Sequence, residues 1–198
     1  MMITLLICLL LSTTAFAQHN IHQMDNMHHD ASKNIFLSQM DTMMMNMDTV
    51  KQTNVAETDF LNLMIPHHQG AVEMALYEVA HGSDKEMIQL AKSIIAEQQI
   101  EIKMMKQLLS SAYHSPPNEI KTAWDATMNT MMKDMPATNE LKNIDVAFAK
   151  VMMPHHQAGI DMAKVILKYG NDHAVKRMAE NIISSQQVEI EQMKHYIK

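Results

Sequence analysis

"MIPHHQGAVEMA", residues 64–75, and "MMPHHQAGIDMA", residues 152–163, are one phrase written twice. Each sets a proline and two histidines in an apolar, helix-forming run, with methionine at both ends. Working outward, His67 and His155 are 88 positions apart, as are Met40 and Met128, Gly82 and Gly170, and Glu101 and Glu189. Residues 34–110 align with 122–198 without a slip in register, and 24 of the 77 pairs are identical. A constant offset over that length is an internal duplication. The fold is therefore two copies of one unit.

Each copy reads as three helices. Met40, Met43, Met44 and Met47, matched by Met128, Met131, Met132 and Met135, follow i, i+3, i+4, i+7 spacing, one face of a short first helix. Such a stripe is more often flexible core than a ligand set. The second helix is expected from about Glu57 to His81, with Gly82 as its stop and Ser83 or Asp84 capping the next. The third runs from about Lys85 to Ser110, with Ala91, Ile94, Ile95, Ile102 and Met105 on one stripe. Pro66 should kink the second helix or begin its regular part. Pro116-Pro117 breaks the chain between copies. The short turn makes helices two and three an antiparallel hairpin. Two hairpins give an all-α four-helix bundle with two short Met-rich helices against it.

Folding the hairpin about Ser83 sets His67 opposite Gln99, with Gln98 and Glu101 within a turn. Met64, His67, His68, Gln98, Glu101 and Met105 should then converge. The second copy repeats this with Met152, His155, His156, Gln186, Glu189 and Met193. A carboxylate on an apolar stripe is costly unless paired, and a histidine across the hairpin, His67 for Glu101, is its natural partner. Other charges have drifted between the copies: Lys92 matches Glu180, Glu97 matches Ser185 and Lys103 matches Glu191. Those read as surface.

The chain has 198 residues, 23 Met, 12 His, a net charge of −6 and no Lys/Arg run, which argues against a nucleic-acid surface. Residues 1–17 read as a secretory signal ending at Ala15-Phe16-Ala17, with no cation before its apolar core. That core is too short to span a bilayer, so no membrane association is expected after cleavage. The one cysteine, Cys8, lies inside the signal. The mature chain thus has no thiolate, which suits the bacterial periplasm. Residues 18–32 read as a disordered His/Met-rich tail carrying His19, His22, Met24, Met27, His28 and His29. Residues 33–198 are the bundle. Thioethers favour Cu(I), and imidazole accepts Cu(I), Cu(II) and Zn(II). Copper is the expected ligand.

The pattern Phe60…Met64-Ile65-Pro66-His67-His68-Gln69…Met74-Ala75, then Ala91…Ile94-Ile95…Gln98-Gln99…Glu101-Ile102…Met105, resembles the domain of unknown function 305 family. The second copy, Phe148 to Met193, matches equally well. The acidic residue such proteins often carry before Phe is present as Asp59 and replaced by Ala147. The resemblance implies a ferritin-like helical bundle, export, and copper binding or tolerance.

Three functions compete. The first is a non-enzymatic periplasmic copper buffer, carrier or resistance factor, with periplasmic copper-handling proteins as possible partners. Its metal residues would be Met64, His67, His68, Glu101 and Met105, their copies Met152, His155, His156, Glu189 and Met193, and the tail residues. The second is a ferritin-like di-iron enzyme, which needs Glu-x-x-His on two helices. Here Glu78-x-x-His81 occurs once, and its copy is Ile166-x-x-Tyr169. The third is a Met-rich bundle that binds partner helices without metal.

Overall fold

The computed structural model describes residues 33–111 and 120–198. The signal, the His/Met tail and the Pro116-Pro117 break lie outside the described residues. Among the described residues there are six α-helices and no strand: α1 Ile35–Asp48, α2 Ala56–His81, α3 Lys85–Leu108, α4 Ile120–Lys133, α5 Ile144–Tyr169 and α6 His173–Tyr196. A single 3-10 turn, Thr138–Glu140, precedes α5. Among these residues no helix is long and apolar enough to cross a membrane.

The two hairpins are α2–α3 and α5–α6. They join mainly through α2 and α5, while α3 and α6 touch more sparsely. The short helices ride outside: α1 packs on α2, and α4 packs on α5. The core they enclose is rich in thioether. Met40, Met43, Met64, Met74, Met105 and Met152 are among the largest fully buried side chains, beside Phe36, Phe60 and Phe148. Unbranched methionine fills irregular gaps between crossing helices, which explains a core so poor in rings. Most of the Met stripe of α1 faces inward: Met40, Met43 and Met47 are all buried. In the second copy Met128 and Met131 are buried, Met132 is exposed, and Met135 falls beyond the end of α4.

Local chemistry sets the helix ends. Asp84 and Asp172 cap α3 and α6, each accepting two amide hydrogens of the following turn. Asn34 caps α1, and its side-chain amide also donates to the Leu141 carbonyl (3.2 Å), tying α1 to the lead-in of α5. No side chain caps α2 at Val55. Instead Asp59 reaches back to the Thr53 amide (2.6 Å), the Thr53 hydroxyl (2.7 Å) and the Asn54 amide (3.0 Å). This holds the loop in which Asn54 has φ 62°. Asp59 therefore anchors a loop, and the second copy uses the Asn143 cap of α5 instead.

One alternative for the prolines is excluded, and the glycine stop holds. α2 and α5 run unbroken through Pro66 and Pro154, with ten helical residues before each, so neither proline begins a helix. Gly82 ends α2 at φ −65°, not in a left-handed turn. A glycine is required there by space, because a Cβ would collide with the Glu78 carboxyl and carbonyl oxygens.

Candidate metal centre

α2 and α5 meet at the duplicated phrase. His67, His68, His155 and His156 are all fully buried. The His67 and His155 rings stack with centroids 3.9 Å apart and planes 27° apart. A residue thus packs on its own copy, which places the pair at the pseudo-two-fold axis of the duplication. Nε2 of His155 donates to the His67 carbonyl oxygen at 3.0 Å. That contact requires the proton on Nε2 and leaves the lone pair on Nδ1.

The outer histidines look the other way. His68 Nε2 donates to Glu101 Oε2 on α3 at 2.8 Å. His156 Nε2 stands 2.8 Å from Glu189 Oε2 on α6, out of line for a hydrogen bond. The expected His67–Glu101 pair is therefore corrected to His68–Glu101. The hairpin register was near enough to find the carboxylate but one residue off in the histidine. A step of one residue turns a helix by about 100°, enough to send His67 to α5 and His68 to α3.

Each histidine retains a ring nitrogen without a hydrogen-bond partner: Nδ1 of His68 and His155, and both nitrogens of His67 and His156. A buried polar atom left unpaired costs roughly 1–3 kcal/mol. Four such rings in one seam are expensive unless something accepts those lone pairs. Burial, and then the neighbouring imidazoles His68 and His156, holds His67 well below the ordinary histidine pKa. Burial, then His67 and His156, does the same for His155. Both rings are thus neutral at pH 7, the state that ligates a metal. A carboxylate on one nitrogen of His68 orients the ring and raises the basicity of the other, an arrangement typical of metal-ligating histidines.

Met64 and Met152 lie one helical turn before the histidines, and Met105 and Met193 one turn after the glutamates; all four are fully buried. Among the described residues, no group of three or more His, Cys, Asp or Glu side chains is arranged to hold a metal ion. The His–carboxylate pairs are therefore incomplete as metal sites by themselves, and the buried thioethers are the further soft donors at hand.

Gln98 and Gln186 are buried in the same layer with their amides unpartnered. Gly159 of α5 makes room for Gln186: a Cβ there would lie 2.5 Å from its Oε1. Glu97, read from sequence as drifted surface, is half-buried and hydrogen-bonds Ser185, its own counterpart. Burial raises its pKa, the Ser185 hydroxyl opposes that, and Glu189 and Glu101 add to the rise. Two carboxylates could not share that axial position cheaply. The Glu/Ser mismatch is complementarity rather than free drift, and the constant 88-residue offset is its signal in the sequence. Glu78 and His81, the one Glu-x-x-His, do not form a site. Glu78 is buried beside Asp145 at a hairpin turn, and His81 is exposed and stacked on Tyr77 at 4.0 Å.

The fold and seam define a tandem helical bundle whose two copies meet through buried histidines. The chain belongs to the family described as Domain of unknown function (DUF305), whose model matches twice, at residues 11–109 and 110–197. No curated protein matches it. Among solved structures it resembles CopM in the Cu(I)-bound form, at 28% identity and TM-score 0.54, over 71% of this chain and 94% of that one. A DUF305 protein from Streptomyces coelicolor matches at 28% identity and TM-score 0.53, over 72% and 90%. A DUF305 fragment from Deinococcus radiodurans matches at 21% and 0.52, over 71% and 94%, a likeness of fold alone.

Proposed function

We propose that this chain is an exported, periplasmic copper-binding protein that buffers, carries or detoxifies copper without catalysing a reaction. Cu(I) is favoured and Cu(II) accepted, because buried thioethers and neutral imidazoles are the donors available and no thiolate is. Each copy supplies Met64, His67 or His68, and Met105, or Met152, His155 or His156, and Met193. Glu101 and Glu189 orient the outer rings or ligate directly. The tail residues His19, His22, Met24, Met27, His28 and His29 collect the ion outside.

The observation that carries this reading is the set of four buried imidazoles with ring nitrogens that nothing accepts. Support comes also from CopM, a structural neighbour that has been solved in Cu(I)-bound, Cu(II)-bound and Ag-bound forms. The test is a Cu(I) competition titration on protein lacking residues 18–32, with and without substitution of all four histidines by Gln. Loss of tight Cu(I) from the folded variant is expected. A folded variant that binds as many ions as tightly as before makes the histidines packing residues.

A further inference from the structure

The seam does not account for every cluster of thioethers. A second one lines a cavity of about 440 Å³ between the C-terminal end of α1, the middle of α4 and the two long helices. Met44 and Met47 of α1, Met128 of α4 and Met162 of α5 face it, with Trp124 of α4 in its wall. Met47, Met128, Met162 and Trp124 are buried. Asp48 and Asp125, both exposed, stand at its rim.

The wall of this cavity differs from the equivalent positions across the pseudo-two-fold. The counterpart of Trp124 is Phe36, which is fully buried, edge-on to Tyr77 at 5.5 Å and tilted on Phe148 at 5.9 Å. At the position of Tyr77 the second copy has Val165. Among the described residues Trp124 has no ring partner, and its buried indole N–H has no acceptor. One copy backs its ring with other rings where the other sets it beside a cavity walled with sulfur.

We propose that this cavity is a second binding site, for a soft monovalent cation of the Cu(I) or Ag(I) type. Thioethers are soft, weakly basic donors that select such ions over harder ones. Flexible methionine side chains with cavity space beside them can reorganise to three- or four-fold coordination without moving a helix. The indole face attracts a cation within about 6 Å by its quadrupole. Of the two rim carboxylates, Asp125 is held by Lys121, which also lines the cavity, so Asp48 is the one that draws positive charge to the mouth. No histidine lines this cavity, so the site stands or falls apart from the histidine seam.

Trp124 is the only tryptophan of the chain, so its emission reports this cavity alone. Ag(I) titrated into the full chain should change Trp124 emission saturably, and the change should persist when His68 and His156 are replaced by Gln. The triple variant Met47→Leu, Met128→Leu, Met162→Leu conserves volume, so it should keep the helical spectrum. It should lose the emission change and bind one Ag(I) fewer. Methyl-13C methionine spectra of the unsubstituted protein give the same reading without mutation, since the Met47, Met128 and Met162 methyl signals must shift together. No saturable emission change, an emission change abolished with the histidines, or unshifted methyl signals would each overturn the proposal. A seam that fails to bind copper while Trp124 still responds would sink the histidine reading and leave this one intact.

Discussion

At the first hairpin turn, Asp145 of the second copy accepts the Ser83 amide (2.9 Å), the Ser83 hydroxyl (2.9 Å) and the Asp84 amide (2.8 Å). At the second turn its counterpart, Glu57 of the first copy, accepts the Asn171 amide (2.5 Å) and the Asp172 amide (3.1 Å). Each copy thus clamps the turn of the other with a buried carboxylate at the start of its long helix. The clamp is the same because the need is the same: the amides leading into a helix lack intrahelical partners. What lies beneath the turns differs. Under the first is Glu78, and under the second is Ile166, each against the bare glycine of its turn. Duplication preserved the contacts between copies and released the filling within each.

Breaking the clamps should have the largest effect. Asp145→Ala leaves three donors unsatisfied and should cost about 3 kcal/mol or more; Glu57→Ala should cost somewhat less. Urea denaturation of both variants ranks them, and a silent Asp145→Ala would remove the clamp from the account of the fold. The histidine seam supplies a second contrast. Glu101 is in line with His68 and Glu189 is out of line with His156. Glu101→Gln should therefore weaken Cu(I) binding by roughly 10–100-fold, and Glu189→Gln by less. Equal losses would mean that the two pairs are equivalent in solution; no loss from the double variant would leave only structural pairs.

The filling under the turns gives the third contrast, and a smaller one. Burial, then Asp145 and Asp84, pushes Glu78 up to about 8 from 4.5. Burial alone would raise Asp145 too, but the Asp84 and Ser83 amides hold it below the usual carboxylate range. Glu78 thus binds its proton more tightly in the folded chain than in the unfolded one. Its stabilisation is complete below about pH 4.5 and is lost as pH rises through about 8. His67 and His155, shifted down, act in the opposite sense: they stabilise above about pH 6.5, and that stabilisation is lost as pH falls below it. Glu78→Ile, which copies Ile166, should remove the decline in stability that Glu78 contributes between about pH 4.5 and 8, leaving the opposing His67 and His155 contribution in place. Urea midpoints at pH 5, 6.5 and 8 check this, and an unaltered slope across that window would assign it to another group. The smallest effect is expected at the surface, where Met132→Lys, at an exposed position of α4, should shift stability by about 0.5 kcal/mol or less.

Much of this was legible in the residues. Period and caps located all six helices, and α3 ended at Leu108 rather than Ser110 because helix ends fray. The hairpin turn brought Glu101 to the level of the histidines. Three things escaped. His68, not His67, meets Glu101; Glu97 meets Ser185; and Asp145 and Glu57 reach across to the turns of the opposite copy. Each is a contact between hairpins or depends on one. Hydrophobic period orients a helix within an arc of about 100°, and two adjacent histidines both fit inside it.

From the sequence alone came the duplication, the helices, a bundle without cysteine and the concentration of thioether and imidazole at one level of that bundle. These follow from spacing and composition, which are properties of the chain. The stacking of His67 on His155, the mismatched axial pair Glu97 and Ser185, and the open cavity at Trp124 were decided by the tertiary structure. They depend on how α2 and α5 rotate against each other about the pseudo-axis, and on whether Val165 or a tyrosine stands behind a ring. That rotation minimises the energy of the whole packed core, and no single stretch of the chain contains it.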